Sequence, residues 1–188
     1  RGIIKISAVA ESHRVVEAPV RVFNTQQAVV DAFKAGELDR DVIVVVVNQG
    51  PRANGMPELH KLTPSLGVLQ DKGFNVALLT DGRMSGASGK VPAAIQVSPE
   101  AAGGGMIGRL RDGDKVRNDA ESGELVALLE EGELASREPT LPIHPSHSYG
   151  MGRELFGAMR AIASEAEAGG SSLPIDRSNA LIEETHHA

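Results

Sequence analysis

Two glycine-rich loops carry the side chains of this sequence that could do chemistry. The second of them, residues 80–90, follows an apolar segment at 76–79. It holds two serines and two cationic residues: Ser85, Ser88, Arg83 and Lys90. Glycines let backbone N–H groups approach a ligand closely, and hydroxyls and cations add to the attraction for a negative charge. The pattern predicts a site for an oxyanion such as a phosphate or a carboxylate, with a plain turn carrying incidental cations as the alternative.

The first loop, residues 48–55, leads into a group of polar side chains that would add to this site. They are Arg52, Asn54, Glu58, His60 and Lys61. Glu58 is the one acid in the group, and a carboxylate in basic surroundings stays ionised and is a good ligand for a hard divalent cation such as Mg²⁺. Pro57 favours the first turn of a helix, however, and the helix dipole stabilises an acid there without any ligand.

Familiar motifs do not account for the second loop. Lys90 is followed by Val91, so the Walker A pattern of nucleotide-binding loops is not met. Ser85 has Arg83 where the nucleophile elbow of serine hydrolases requires glycine. The glycines do not match the dinucleotide-binding fingerprint either.

Both loops are predicted to leave the carboxyl ends of buried strands. Residues 42–47 form a continuous valine and isoleucine run, which is typical of a strand buried on both faces. A helix beginning at Met56-Pro57 and ending at Gly73 would connect it to a strand at 74–79. A right-handed crossover makes two such strands parallel, so both loops would lie at the same edge of the sheet, where ligands bind.

The rest of the chain predicts an α/β fold with a β-rich second half. A strand at 20–23 precedes a helix at 26–34 that is capped by Asn24 or Thr25 and stopped at Gly36. Residues 3–9 are expected to form a short strand or an extended entry segment, and further short strands are expected at 93–97, 107–110, 115–118 and 124–129. The predicted division is a domain at 1–138, a proline-rich linker with a C-terminal helix at 139–172, and a flexible tail at 173–188.

The C-terminal helix is predicted over residues 152–167. Leu155, Met159 and Ile162 would form its apolar face. His144 and His147 lie three residues apart near prolines, and this spacing is too common to indicate a metal site. Both histidines are therefore expected to lie in a solvated linker.

Composition excludes several classes of protein. The formal net charge of −6 argues against nucleic acid or an anionic membrane surface as the main partner. The chain contains no cysteine, so it can form neither disulfides nor thiolate ligands to a metal cluster. No apolar run reaches membrane-spanning length and no signal-peptide pattern is present, so a cytoplasmic protein is expected. The start at Arg1, without methionine, is expected of an excised or processed chain.

Several long motifs resemble the dihydroxy-acid dehydratase / phosphogluconate dehydratase family, in its C-terminal domain. They are Gly55-Met56-Pro57-Glu58-Leu59, Leu79-Thr80-Asp81-Gly82-Arg83-Met84-Ser85-Gly86 and Val97-Ser98-Pro99-Glu100-Ala101. Residues 49–55, 60–64, 85–92 and 152–156 are similar to the 6-phosphogluconate dehydratase branch of that family. The resemblance extends over the chain to about Ser172.

The resemblance implies a fold, a reaction and a set of cofactors. The expected fold is α/β, a mixed β-barrel-like swivelling domain flanked by helices. The expected reaction, in the Entner–Doudoroff pathway, is dehydration of 6-phospho-D-gluconate to 2-dehydro-3-deoxy-6-phosphogluconate. Such enzymes use an iron–sulfur cluster, expected to be 4Fe-4S with ligands outside this chain, and a divalent cation such as Mg²⁺ or Mn²⁺. The implied partners are a small anionic sugar acid, a missing N-terminal domain of the same enzyme and a second copy in a homodimer.

The resemblance also assigns roles to residues of both loops. Glu58 matches a carboxylate that ligates the divalent cation, and Ser85 matches a residue proposed to act as an alkoxide base at the C2 proton of the substrate. Charge and loop position make further residues candidates for binding the substrate: Arg83, Ser88, Lys90, His60, Lys61 and Arg52. A dihydroxy-acid or an unphosphorylated aldonate remains open as the substrate, as does a non-catalytic module for anion binding or dimerisation.

Overall fold

The computed structural model of the chain describes residues 1–85 and 89–173. The strands are β1 Ile3–Lys5, β2 Val15–Phe23, β3 Val42–Val46, β4 Val76–Thr80, β5 Ala93–Ile95, β6 Lys115–Asp119 and β7 Glu124–Ala127. The helices are α1 Gln26–Lys34, α2 Pro51–Asn54, α3 Leu62–Asp71, α4 Glu133–Ser136 and α5 Gly157–Ala161. Short 3₁₀ turns occur at Glu11–His13, Ala101–Gly103, Met106–Arg109, Pro145–His147 and Ala166–Ala168. None of the helices within the described ranges is long and apolar enough to cross a membrane.

The strands form one mixed sheet with the order β1-β5-β4-β3-β2-β6-β7. The central strands β2 to β5 run parallel, whereas β1, β6 and β7 pair antiparallel with their neighbours. Strand β2 belongs to both halves, because residues 15–19 pair with β6 and residues 20–23 pair with β3. The sheet curls at this long strand into a half-barrel. The predicted α/β fold, with a barrel-like mixed sheet flanked by helices, is confirmed.

Strand β3 lies at the centre of two hydrophobic cores, one on each face of the sheet. Val42, Val44 and Val46 pack against α1 and α3, while Ile43 and Val45 face the opposite side, toward β6. All of these side chains are fully or almost fully buried. Each contributes roughly 1.5–3 kcal/mol through removal of apolar surface from water. The prediction of a strand buried on both faces is confirmed.

Helix α1 confirms the predicted helix at 26–34. The Thr25 hydroxyl oxygen accepts a hydrogen bond from the Ala28 N–H at 3.2 Å, which satisfies a free donor of the first turn. Gly36 follows with a φ of +74°, a conformation in which a Cβ would be strained. The capping residue Thr25 and the stop signal Gly36 therefore define the two ends of α1.

The helix between the two loops begins later than predicted. It was expected from Met56, but α3 starts at Leu62, and residues 56–61 form a loop. Met56 has a φ of +56°, outside the helical region, and the segment after it pairs with the second loop. Pro64 lies in the first turn of α3, where its missing N–H is tolerated. Leu59, Leu62, Leu66 and Leu69 are buried as expected.

Two predictions for the second half are wrong. Residues 107–110 were expected as a strand but lie largely in the 3₁₀ turn Met106–Arg109, where the Gly108 N–H donates to the Gly105 carbonyl at 3.0 Å. The helix expected at 152–167 is reduced to the five residues of α5. Gly152 has a φ of +80°, and the apolar side chains of the expected face are 43–78% exposed, so no buried face stabilises a longer helix. These exposed side chains are Leu155, Met159 and Ile162.

Candidate functional site

The two loops meet in a short backbone pairing between Glu58 and Arg83. These residues form an isolated parallel bridge, in which the Leu59 N–H donates to the Arg83 carbonyl at 2.9 Å. The Arg83 Nε in turn donates to the Met56 carbonyl at 3.0 Å. Strands β3 and β4 are parallel, so both loops leave the same edge of the sheet, as predicted. Glu58 and the residues that follow Arg83 are thereby held side by side.

Glu58 presents a half-buried carboxylate at this pairing. Its carbonyl accepts hydrogen bonds from the Gln26 side chain at 3.4 Å and pairs with a ring nitrogen of His60 at 3.4 Å. Its carboxylate makes no hydrogen bond or ion pair within residues 1–85 and 89–173. The backbone of Glu58 is therefore held in place while its side-chain oxygens stay available to a ligand. The helix-dipole explanation for this acid does not apply, because Glu58 precedes α3 by four residues.

Ser85 lies two residues after Arg83 and is half-buried. The residues just before it are firmly held: Met84 is buried, and the Gly82 carbonyl accepts a hydrogen bond from the Gln96 N–H at 2.8 Å. The Arg83 side chain is exposed beside it. The structure thus places the candidate base and the candidate metal ligand on two strands of backbone that are directly bridged.

A buried carboxylate, Asp81, holds the two loops at this edge. It is fully buried and accepts hydrogen bonds from the N–H groups of Asn48 at 3.0 Å, Gln49 at 2.8 Å and Ala101 at 2.9 Å. The pKa of Asp81 is raised to about 6, because the effect of burial, with a contribution from the nearby Glu100, exceeds the lowering by the three N–H donors. Asp81 therefore joins the first loop, the second loop and the segment after β5.

A second buried carboxylate, Glu100, holds the short helix α2. It accepts hydrogen bonds from the N–H groups of Arg52 at 2.9 Å and Ala53 at 3.1 Å. Its own N–H donates to Glu165 at 2.9 Å, and Glu165 also pairs with the Arg52 guanidinium at 3.2 Å. Burial raises the pKa of Glu100, and these N–H donors oppose the rise. The Arg52 side chain, a predicted substrate ligand, is thus held in a contact within the chain.

The other predicted substrate ligands lie in different surroundings. Lys90 is ion-paired with Asp71 on α3. His60 and Lys61 are exposed, and the Lys61 N–H donates to the Gln26 side chain at 3.1 Å. Ser88 lies outside the described residues. Glu58, His60, Lys61 and Arg83 therefore surround the bridge, whereas Lys90 and Arg52 are committed to carboxylates of the chain itself.

The residues present do not complete a metal or cluster site. No group of three or more histidine, cysteine, aspartate or glutamate side chains within the described ranges is arranged to hold a metal ion. Glu58 could supply one oxygen ligand to a divalent cation, which requires about six. An iron–sulfur cluster needs thiolates that a chain without cysteine cannot provide. A divalent cation would need ligands beyond the described residues, and a cluster would need thiolates from outside this chain.

Sequence reasoning missed several residues that shape the site. Asp81 was within a recognised motif but received no role, although an acid directly after a buried strand is a signal for a buried carboxylate. His147, expected in a solvated linker, is only 5% exposed. Arg153 and Arg160 reach the first loop from the segment that was expected to be a long helix. Contacts of this kind join segments that are far apart in the sequence, so no local sequence pattern predicts them.

The fold and site define a class of protein: an α/β domain that presents a carboxylate and a serine hydroxyl together at the carboxyl edge of parallel strands. Comparison with known families makes this class specific. The family of dihydroxy-acid/6-phosphogluconate dehydratase C-terminal domains matches residues 1–170, and the chain belongs to this family.

Individual relatives carry more specific names. The chain is 62% identical over 172 residues to the phosphogluconate dehydratase of Pseudomonas aeruginosa, covering 92% of this chain and 28% of the relative. It is 60% identical over 169 residues to the phosphogluconate dehydratase of Zymomonas mobilis, covering 90% and 28%. A dihydroxy-acid dehydratase from Nitratidesulfovibrio vulgaris is 42% identical over 139 residues, covering 72% and 24%. The chain thus spans less than a third of the length of these relatives.

Proposed function

We propose that this chain is the C-terminal domain of a phosphogluconate dehydratase, a hydro-lyase that converts 6-phospho-D-gluconate to 2-dehydro-3-deoxy-6-phosphogluconate. The observation that supports the proposal is the bridge between Glu58 and Arg83, which joins the segment of Glu58 to the segment that leads to Ser85. The higher identity to phosphogluconate dehydratases, over more of the chain, favours this substrate over a dihydroxy-acid.

Ser85 acts in this proposal as the base. The reaction removes the proton from C2 and the hydroxyl from C3, and the enol that results rearranges to the 2-keto product. The Ser85 oxygen, as an alkoxide, accepts the C2 proton. A serine hydroxyl is a very weak base near neutral pH, so positive charge close to it must stabilise the alkoxide. Arg83, two residues away and exposed at the same edge, supplies part of that charge.

The other steps of the proposed reaction require groups outside this chain. The leaving C3 hydroxyl needs an acid or a Lewis acid, and this chain cannot hold an iron–sulfur cluster. Glu58 would contribute one carboxylate to a divalent cation whose remaining ligands come from elsewhere. The remainder of the relatives' length is the proposed source of both, and a homodimer is the proposed assembly.

Replacement of Ser85 in the full-length polypeptide tests the proposal. Ser85→Ala is expected to lower kcat by about 10²–10⁴-fold, the usual contribution of a positioned base. Ser12→Ala is the matched control, because Ser12 is an exposed serine in the 3₁₀ turn before β2. Formation of the 2-keto acid is the measurement. Near-normal turnover by Ser85→Ala would overturn the assignment of the base.

The substrate is tested with the wild-type polypeptide. Equal amounts of 6-phospho-D-gluconate, D-gluconate and a 2,3-dihydroxy acid should give product at clearly different kcat/KM values, with the phosphorylated acid first. A higher kcat/KM for the 2,3-dihydroxy acid would contradict the proposed substrate, but the proposed reaction class, dehydration, would stand.

A further inference from the structure

Arg153 and Arg160 converge on the backbone that leads into Glu58. The Arg153 Nη1 donates to the Asn54 side-chain oxygen at 2.6 Å and lies 3.5 Å from the Asn54 carbonyl. The Arg160 side chain lies at Gly55, where a Cβ would be 4.0 Å from its Cδ. Its Nη1 donates to the Arg153 carbonyl at 3.0 Å, which holds the two arginines together. The Arg83 Nε donates to the carbonyl of the next residue, Met56, at 3.0 Å.

These arginines differ from Arg52 and Lys90 in having no carboxylate at ion-pair distance among the described residues, although Glu154 interacts with Arg160 from farther away. Arg52 pairs with Glu165, and Lys90 pairs with Asp71, so their charges are largely compensated. No carboxylate oxygen within the described part of the chain lies within ion-pair distance of Arg153 or Arg160. Their Nε and Nη2 groups also make no hydrogen bonds there. Positive charge without a directly paired carboxylate in the described part of the chain attracts an anionic ligand.

The Arg153 guanidinium is also fixed in orientation by a continuous chain of hydrogen bonds. The Gln49 N–H donates to Asp81 at 2.8 Å, and the Asn54 amide donates to the Gln49 side-chain oxygen at 2.9 Å. Asn54 then accepts from Arg153. One edge of the guanidinium is committed to this chain, which leaves the Nε and Nη2 donors available. Fixed guanidinium donors suit a tetrahedral oxyanion, because two can bind the same group.

His147 adds a buried polar atom to the same cluster. Its side chain is 95% buried, and its Nδ1 has no hydrogen-bond partner within the described residues. Its carbonyl lies 3.5 Å from the Arg153 Nη1. Burial, His144 and the charges of both arginines lower the pKa of His147 to about 4. A buried ring nitrogen without a partner among the described residues, close to two guanidinium groups, indicates a place for a further polar group.

We propose that Arg153 and Arg160, beside Asn54 and Gly55, bind the phosphate group of the substrate. The inference rests on the function proposed above and names the part of the site that recognises a phosphate monoester. In a sugar acid, the carboxylate is bonded to the carbon that loses its proton, so its partner must lie next to Ser85, where Arg83 is. The phosphate, at the other end of the six-carbon chain, binds the other pair of arginines, which contact Asn54 and Gly55. A dianion also matches two guanidinium groups in charge.

The test uses Arg160→Gln in the full-length polypeptide, with Arg153→Gln as a second variant. Arg160 is preferred because its side chain makes a single hydrogen bond in the described structure, and Arg40→Gln, an exposed arginine after α1, is the control. We expect the KM for the phosphorylated substrate to rise about tenfold or more, with kcat within about threefold of wild type. The inhibition constant of inorganic phosphate should rise in parallel, and inhibition by unphosphorylated D-gluconate should not change.

Two results would overturn the phosphate site. One is an unchanged KM and phosphate inhibition constant in both variants. The other is an equal loss of binding for phosphorylated and unphosphorylated acids, which would mean that the arginines only support the loop. Failure of the proposed function is a separate result: a wild-type polypeptide that forms no 2-keto acid, tested alongside binding of inorganic phosphate by calorimetry. Phosphate binding that is lost in Arg160→Gln would then still support the anion site.

Discussion

Glu58 and Arg83 are neighbours through their backbones, joined by a hydrogen bond of 2.9 Å from the Leu59 N–H to the Arg83 carbonyl. This pairing places a carboxylate and Ser85 on adjacent segments, although Ser85 comes 27 positions after Glu58 in the sequence. Because the register depends on backbone groups, replacing the Glu58 side chain should change the chemistry of the site without moving it.

Glu58→Gln is expected to lower activity strongly and leave stability unchanged. The carboxylate makes no hydrogen bond or ion pair within the described residues that the substitution would remove, so the free energy of unfolding should stay within about 0.5 kcal/mol of wild type. In the full-length polypeptide, kcat/KM should fall by about 10²-fold. Substitution of a residue that supports a bound metal ion commonly lowers metal affinity or activity by up to about this factor. Steady-state kinetics and urea unfolding measure the two quantities.

Glu138→Gln is the matched control for Glu58→Gln. Glu138 is exposed and does not take part in the Glu58–Arg83 bridge, so Glu138→Gln should leave both activity and stability unchanged. A Glu58→Gln protein that is destabilised by several kcal/mol would show that the carboxylate has a structural partner. A protein with normal kinetics would remove Glu58 from the site.

Two glycine-to-alanine changes are expected to have opposite effects on stability. A Cβ at Gly82 would lie 2.6 Å from the Gln49 Cβ, so Gly82→Ala forces the two loops apart and should cost about 1–3 kcal/mol. A Cβ at Gly67, inside α3, would meet nothing closer than 3.7 Å. Gly67→Ala should therefore stabilise the protein by about 0.5–1 kcal/mol through helix propensity. Urea unfolding of both variants measures the difference, and equal effects would contradict the close approach of the loops.

Local patterns in the sequence were sufficient for the elements that present the site. The unbroken run before Asn48 predicted a doubly buried strand, and the crossover rule placed both loops at one edge. Thr25 and Gly36 marked the ends of α1 because capping and positive φ depend on single residues. Glu58 and Ser85 were selected from motifs that lie in these loops.

Contacts between distant segments determined the rest. The first helical turn, expected at Met56, is replaced by the backbone pairing between Glu58 and Arg83. No local sequence pattern predicts this pairing. Asp81 and Glu100 accept backbone N–H groups from segments up to 48 residues away. The periodicity of residues 152–167 predicted a long helix, but a helix of that length needs a partner for its apolar face. In the structure this segment instead brings Arg153 and Arg160 to Asn54 and Gly55.

Asp81→Asn is expected to destabilise the protein because one amide oxygen cannot replace both carboxylate oxygens. Each backbone N–H left without an acceptor costs about 1–3 kcal/mol when buried. Asp41→Asn is the control, since Asp41 accepts similar hydrogen bonds from Asn75 at an exposed position and should cost less. Urea unfolding at pH 7 gives the comparison, and an equal loss in both variants would contradict a special role for Asp81.

The stability loss in Asp81→Asn should also depend on pH. Burial raises the pKa of Asp81 in the folded protein to about 6, above its ordinary value of 3.8, so the folded state binds this proton more tightly than the unfolded state. The stabilisation that results is full below about pH 3.8 and is lost as the pH rises through 6. The deficit of the variant should therefore be larger at pH 4 than at pH 7. Unfolding measured across this range would contradict the raised pKa if the difference between the two proteins were constant.

His147 should give the opposite dependence on pH. Burial, together with His144, Arg153 and Arg160, lowers the pKa of His147 in the folded protein to about 4 from 6.5. The unfolded state therefore binds this proton more tightly, and the stability that His147 contributes is full above about pH 6.5 and is lost as the pH falls toward 4. His147→Gln cannot be protonated, so it should lose less stability than wild type over the same range.

The two proteins should be compared by urea unfolding at several pH values from 7 to 4. The difference between their free energies of unfolding should change steadily through this window, in favour of the variant as the pH falls. Inorganic phosphate bound at Arg153 and Arg160 would neutralise two of the charges that oppose protonation of His147. Saturating phosphate should therefore reduce the pH dependence of the wild type, and it should have no such effect in Arg160→Gln if that arginine holds the anion. A wild type that loses no more stability than His147→Gln between pH 7 and 4 would show that the histidine is protonated equally in both states.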